Sequence, residues 1–473
     1  MPPRILPENP YRRFSRTDVA VVFGLLVLTI TAYLRTIDFY FLSDDFVLLR
    51  HAKALHGAFW PLFTTGGGDG FFRPIGYVSL AFTWTFAGTS PSLWHLPALA
   101  LHIANTILVY ILTLMLGRSR LAAIFAAALF AIHGTRPELV VWIAGRFDLL
   151  STLFVLGGLL LFIRSQNEPT EIGYVYAFGS LACMVLAILS KENAYAFPVL
   201  LVLVVFSEPI FHWRKIIDLI PFFIVAVALF AYRWWLVGGI GGYRNAVTGK
   251  SLALTIGVLS ALKALLLRTW AILFFPVNWS REPNKVLAVM MIGYVLALMW
   301  FVITAKVNRK EIVFPLAFVF MTALPALPLL LIGADLSKSR LLYLPSVGFC
   351  ILLAAVMDGR QGKVRWIIPG VVLAFHVAAL EHNLDAWKYA AAKARSTSAI
   401  AVRCGGPEVQ RIVVDGLPGT LRGVPFFANG FQEAVELQRN HGAAPVMSGL
   451  HSSEVGSCLL VWDGTKDELQ VVP

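Results

Sequence analysis

Charge is what this chain has least of. Only 14% of its 473 residues are Asp, Glu, Lys or Arg, against about 25% in an ordinary soluble domain, while 58% are hydrophobic. That balance excludes a soluble globular enzyme, and it equally excludes a disordered or coiled-coil chain. Acidic residues are the scarcer sign, 27 against 39 basic ones, for a net charge of +12. Cysteine occurs four times. Cys183 and Cys350 lie inside apolar runs and read as small hydrophobes. Cys404 and Cys458 lie in a polar tail, where a disulfide can form if the tail is exported. No CxxC or HExxH pattern occurs, so no metal site is signalled; a divalent ion is permitted but not implied. No helical-repeat array is visible, and no small-residue cleavage site follows the basic stretch 11–18, so no cleavable signal peptide is expected.

What the chain does have is long apolar runs. Those of spanning length number about eleven, near 18–37, 92–117, 119–134, 147–164, 172–190, 194–210, 215–236, 286–305, 312–332, 341–357 and 365–382. The expected fold class is therefore an all-α polytopic membrane protein with about eleven transmembrane helices. Basic residues in the short loops at 11–13, 117–120, 213–215, 306–310 and 358–365 fall on one side, which the positive-inside rule makes cytoplasmic. The N-terminus is then inside, and the tail from about residue 381 is outside. The segment 74–88 is too short to cross and reads as interfacial or re-entrant. The segment 252–276, interrupted by Lys263 and Arg268, reads as an amphipathic or partly inserted outer helix. Beyond it, β-prone runs at 412–414, 458–462 and 469–472 and one helix at 431–441 predict a small extracytoplasmic α+β domain. The expected division is 1–395 for the membrane domain and 396–473 for the tail.

The excess of basic residues has a simple origin in topology, yet several cations fall on the outer face against the rule. These are Arg73, Arg136, Arg146, Lys191, Arg244, Lys263, Arg268, Arg281, Lys338 and Arg340. Each alone reads as a snorkelling side chain or one half of an ion pair, and for Arg244, Lys250 and Lys285 that reading is preferred. Glu138, Asp148 and Glu192 are available as partners. As a convergent set at mouth level, the cations suit an anionic headgroup, most simply a phosphate. Opposite them, the first outer loop carries Ser43-Asp44-Asp45-Phe46. Taken alone, adjacent carboxylates there read as a helix N-terminus; the outer-face cations opposite them shift the reading toward a general base in a membrane-level cavity.

Carboxylate plus phosphate-binding cations points to glycosyl transfer from a lipid-phosphate sugar, and the ordered motifs carry a family resemblance. They are Asp44-Asp45-Phe46, Phe72-Arg73-Pro74-Ile75, His95 with His102, His133 followed by Glu138, Trp142, Arg146 and Asp148, Ser190-Lys191-Glu192, and Arg340-Leu341-Leu342-Tyr343. The set resembles the GT-C class of membrane glycosyltransferases, in the branch of tetratricopeptide-containing transmembrane O-mannosyltransferases and their bacterial relatives. The chain departs from that branch at His133-Gly134-Thr135-Arg136-Pro137-Glu138, where Arg136 replaces the second histidine, and in lacking the repeats.

The resemblance implies Asp44 as catalytic base, with Asp45 positioning the acceptor or balancing a cation. Arg73, Lys191 and Arg340 would grip the leaving phosphate, and Glu138 would pair with Arg146 to shape the cavity. Arg136 and Tyr343 complete the candidate binding set. No cofactor is required. The implied partners are a polyprenyl-phosphate sugar, a glycan, lipid or protein acceptor, and membrane lipids, with no nucleic acid, and the implied location is the bacterial inner membrane. Two other functions remain open: a transporter or flippase of lipid-linked sugars, which predicts inverted repeats that are not visible, and a polymerase or ligase using a pyrophosphate-linked donor.

Overall fold

The computed structural model describes residues 15–55, 57–65, 70–168, 170–207, 214–242, 251, 257–303, 309–325, 333–358, 362–404, 409–438, 446–448 and 457–472. The basic stretch 11–13, Arg244 and Lys250 lie outside the described residues.

Seven described helices are long and apolar enough to cross a membrane, and four shorter apolar helices (Arg120–Ile132, Glu192–Phe206, Lys285–Phe301 and Glu311–Ala323) accompany them. The expected apolar segments fall on these helices. The fold class is the expected one, an all-helical multi-pass membrane protein with a small C-terminal α+β region. Segment 74–88 forms the helix Pro74–Ala87, with proline at its start. The stretch from 258 is helical to Phe274, with a π-helical turn at Ala264–Arg268 carrying the second interrupting cation.

Burial divides the helices into two kinds. Arg120–Ile132 presents Ala122, Ala123, Ala126, Ala127 and Ala131 to its neighbours, all buried, and small side chains let helix axes approach closely. The spans at 143–165 and 339–358 are similarly sunk in the bundle, whereas the span at 215–237 exposes Ile224, Val227 and Trp235. In a membrane those exposed groups face lipid, which is as apolar as they are. Near the first loop expected to be cytoplasmic, Asp18 accepts from Tyr110 and Arg120 at 2.8 and 2.9 Å, tying three helices together at one end.

The last of the long apolar helices, Val364–Cys404, runs 41 residues without a break and leads directly into the tail. There β1 (Arg411–Asp415) lies between β4 (Val446–Ser448) and β5 (Ser457–Asp463), parallel to both, and β6 (Glu468–Val472) closes the edge antiparallel to β5. A short antiparallel pair, β2 (Thr420–Leu421) and β3 (Val424–Pro425), precedes the helix Phe431–Gln438. Cys404 at the end of the long helix is disulfide-bonded to Cys458 on β5, so the sheet is stapled to the helix that delivers it.

Candidate active site

The adjacent carboxylates Asp44 and Asp45 open the helix Asp44–Ala54, where the unpaired N–H groups favour negative charge. Their environments differ. Asp45 is 1% exposed; its two carboxylate oxygens accept from the backbone N–H of Leu42 at 3.1 Å and of Ile143 at 2.9 Å. Asp45 was expected to position an acceptor or balance a cation; its bonds pin its loop to the turn at 143–145, and its charge acts on the buried Arg146. Burial pushes the Asp45 carboxyl well above the usual carboxylate range, against those two donors. The folded chain therefore holds this proton more tightly than the unfolded one, and its contribution to stability declines as pH rises above about 4. Thermal melts across pH 4–8 should show a downward slope in wild type that Asp45→Asn flattens; parallel slopes would dismiss this assignment. Asp44 is half-buried, and Asn429 donates to its Oδ1 at 2.5 Å. No described residue hydrogen-bonds its Oδ2.

One segment, 136–148, ties the rest of the site together. Gly145 closes its turn: a Cβ there would lie 2.7 Å from the backbone of Leu139, so no other residue fits. From this segment the Trp142 indole donates to the Leu42 carbonyl at 3.2 Å. Glu138 accepts from the backbone N–H groups of Lys338 and Arg340 at 2.9 and 2.8 Å and from the Ser339 hydroxyl at 3.0 Å. That loop contains two non-glycine residues at positive φ, Leu336 and Lys338, a strained path held in place by the one carboxylate. Arg340 reaches back to Glu138 at 3.4 Å and lies over the Trp142 ring at 4.2 Å. Burial pushes the Glu138 carboxyl up, opposed by Arg340 and these donors. Further along, Phe147 packs under the Arg73 guanidinium, and Asp148 pairs with Lys191 at 2.5 Å.

The three cations expected to grip phosphate are thus each found on a carboxylate. Arg73 makes a two-pronged pair with Glu192, at 2.9 and 2.5 Å; Lys191 holds Asp148, and Arg340 holds Glu138. The pairs form one cluster, since Lys191 feels the charges of Arg73, Arg340 and Glu192 as well as that of Asp148. Bidentate and buried pairing of this kind fixes the cations rigidly, so their field is set before any ligand arrives.

Other expected residues lie elsewhere. Glu138 does not pair with Arg146, contrary to expectation. Arg146 is fully buried and donates to the Thr83 hydroxyl at 2.6 Å and the Trp94 carbonyl at 2.7 Å, and no carboxylate among the described residues forms an ion pair with it. It holds the helices at 74–87 and 91–115 against the 146–165 helix. Arg136 and Tyr343 belong to a separate, fully buried network. Arg136 donates to Phe130 O, Thr135 and Ser346 and sits between the Phe130 and Tyr343 rings. The Tyr343 hydroxyl meets His102 at 2.8 Å and Asn105 at 3.2 Å. Neither hydrogen-bonds the cation cluster. Sequence reading missed Asn429, whose only signal was its place in the tail's turn before Gly430. Among the described residues, no group of three His, Cys, Asp or Glu side chains could hold a metal ion.

No protein-family model matches the chain. Sequence relatives do match: over 196 residues, 38% of this chain and 22% of the relative, it is 30% identical to the Protein O-mannosyl-transferase Tmtc1 of Drosophila melanogaster. The chain is similar to protein O-mannosyl-transferases. The human Protein O-mannosyl-transferase TMTC2 is 28% identical over 207 residues, 41% of this chain and 24% of that one. The chain spans about a quarter of the length of these curated O-mannosyl-transferase relatives. Among solved structures, ArnT from Cupriavidus metallidurans bound to undecaprenyl phosphate matches with a TM-score of 0.42 and 14% identity, over 95% of this chain and 94% of that one. The resemblance expected from the ordered motifs is borne out.

Proposed function

We propose that the chain is a GT-C class membrane glycosyltransferase that moves a hexose from a polyprenyl-phosphate donor to an acceptor hydroxyl on the extracytoplasmic face. Asp44 is the general base. It takes the proton of the acceptor hydroxyl, whose oxygen attacks the anomeric carbon; the bond to the phosphate oxygen breaks, its electron pair leaves with polyprenyl phosphate, and the configuration inverts. Arg73, Lys191 and Arg340 face the leaving phosphate. Because their own carboxylates already order them, they stabilise the charge that develops without rearranging. In this topology eleven helices cross, the N-terminus is cytoplasmic, and residues 396–473 form the extracytoplasmic domain.

The observation that carries this reading is the division of labour between the adjacent carboxylates. Asp45 is spent on the backbone, while Asp44 keeps one oxygen available, and Arg340 of the preordered cation cluster reaches the same loop through the Trp142 ring, whose indole donates to the Leu42 carbonyl. The similarity to protein O-mannosyl-transferases supports the reaction class. The deciding test incubates purified protein with a panel of polyprenyl-phosphate hexoses and simple acceptor glycosides. Release of polyprenyl phosphate with a product of inverted anomeric configuration is expected. A retained configuration would exclude the single-displacement step.

A further inference from the structure

The C-terminal domain makes direct contact with the loop that carries Asp44. Ser43 donates its backbone N–H to the Phe426 carbonyl at 2.9 Å and its hydroxyl to Asn429 Oδ1 at 2.9 Å. The same Asn429 uses its Nδ2 to donate to Asp44 Oδ1. One carboxamide therefore bridges two consecutive residues of the loop, with its acceptor and its donor each used once.

The neighbours of Asn429 are shaped to bring it there. Gly430 stands at φ +79, and a Cβ on it would lie 2.4 Å from the Ser43 carbonyl oxygen. Only glycine lets the two backbones approach so closely. On the other side Ser43 is itself at φ 46, ψ −116, a conformation that persists only when the surroundings enforce it. The Phe427 ring stacks on Phe46 with centroids 5.8 Å apart. Further along the same helix, Arg50 pairs with Glu433 at 3.1 Å and with Glu436 at 3.6 Å. The helix that begins with Asp44 is thus gripped along its length by the tail.

We infer that Asn429 is a positioning residue for the base: the C-terminal domain completes the active site by fixing the Asp44 carboxylate through one oxygen and leaving the other to receive the acceptor's proton. This rests on the assignment of Asp44 made above. A flexible loop aspartate would sample many rotamers, and small displacements of a reacting group carry large rate penalties, on the order of 10²-fold for about 1 Å. The tail is otherwise remote in sequence from every motif of the membrane domain, so this contact gives it a task in the chemistry.

The test compares full-length variants in the polyprenyl-phosphate hexose assay. Asn429→Ala should lower kcat by about 10-fold to 10²-fold, with the KM for the donor unchanged. Asn429→Asp is the sharper variant. It keeps the shape and can still accept from Ser43, but as a carboxylate it cannot donate to Asp44; it should be slowed at least as much as the alanine variant. If the alanine variant fails to fold, the aspartate variant alone decides. In an Asp44→Asn background, Asn429→Ala should cost nothing further, because two residues acting through one carboxylate are not additive.

A wild-type rate in Asn429→Asp would overturn the proposal by showing that shape suffices. A faster rate in Asn429→Ala would overturn it in the opposite sense, by showing that the contact masks the base. Unchanged turnover in Asp44→Asn, or no turnover of any donor in the panel by wild type, would instead remove the assignment on which the inference stands. An inactive Asp44→Asn beside a fully active Asn429→Ala would remove the inference alone.

Discussion

Asp44→Asn is expected to fold normally and to turn over donor about 10²–10⁴-fold more slowly than wild type. The substitution is isosteric, and its amide oxygen can still accept from Asn429, so the loop loses no contact that holds it. What it loses is the ability to take a proton. The neighbouring substitution should behave in the reverse way. Asp45→Asn fixes an N–H₂ where, in the ionised form, both carboxylate oxygens accept backbone N–H groups, so one of the Leu42 and Ile143 bonds is lost. A buried donor left without a partner costs about 1–3 kcal/mol, and the loss should appear in the melting temperature. Measuring polyprenyl phosphate release and thermal unfolding on both variants gives a crossed result. Equal rate losses at the two positions would mean that the carboxylates act as a pair.

The second large effect concerns the buried pair of Lys191 and Asp148, whose side chains are 4% and 1% exposed. Asp148→Leu strands an ammonium inside the protein, and breaking such a pair from one side typically costs about 3–5 kcal/mol. Replacing both partners, as in Asp148→Leu with Lys191→Met, should restore most of that stability, since a well-packed apolar pair can match an ionic one. Turnover should not return with it if Lys191 meets the leaving phosphate as proposed, because the double variant has lost that cation. Unfolding in detergent and donor turnover, read on the same preparations, separate the two outcomes. Recovery of turnover together with stability would assign Lys191 a purely structural task.

The helices were legible because lipid imposes a length and a polarity on any segment that crosses it. The strands of the tail were legible for a related reason: the runs at 412–414, 458–462 and 469–472 are short, β-prone and bounded by breakers. Pairings were not. Arg73 and Glu192 are 119 positions apart, and Arg340 lies 202 from Glu138. Charge alone does not say which cation meets which carboxylate across such distances. Arg146, only eight residues from Glu138, was the natural choice by proximity, but the tight turn at Gly145 sends the two side chains to different elements. The asymmetry between Asp44 and Asp45 was equally hidden, because it depends on Ile143 N–H arriving from a separate part of the chain. Asn429 lies 385 positions from Asp44 and belongs to no motif.

The unbroken helix Val364–Cys404 has a mechanical meaning. At 1.5 Å per residue its 41 residues measure about 60 Å, twice the hydrocarbon thickness of a typical bilayer, about 30 Å. Its first half runs in the bundle, and its far end is bonded through Cys404 to the sheet of the tail. Its outer half is not a free rod: Leu384, Ala386, Trp387, Ala390, Ala391 and Ala394 are buried in one core with Leu42 and Phe46 of the first loop and with Ile412 and Phe426 of the tail. The helix is therefore a shared spine, against which the loop that carries Asp44 and the domain that grips it are both set.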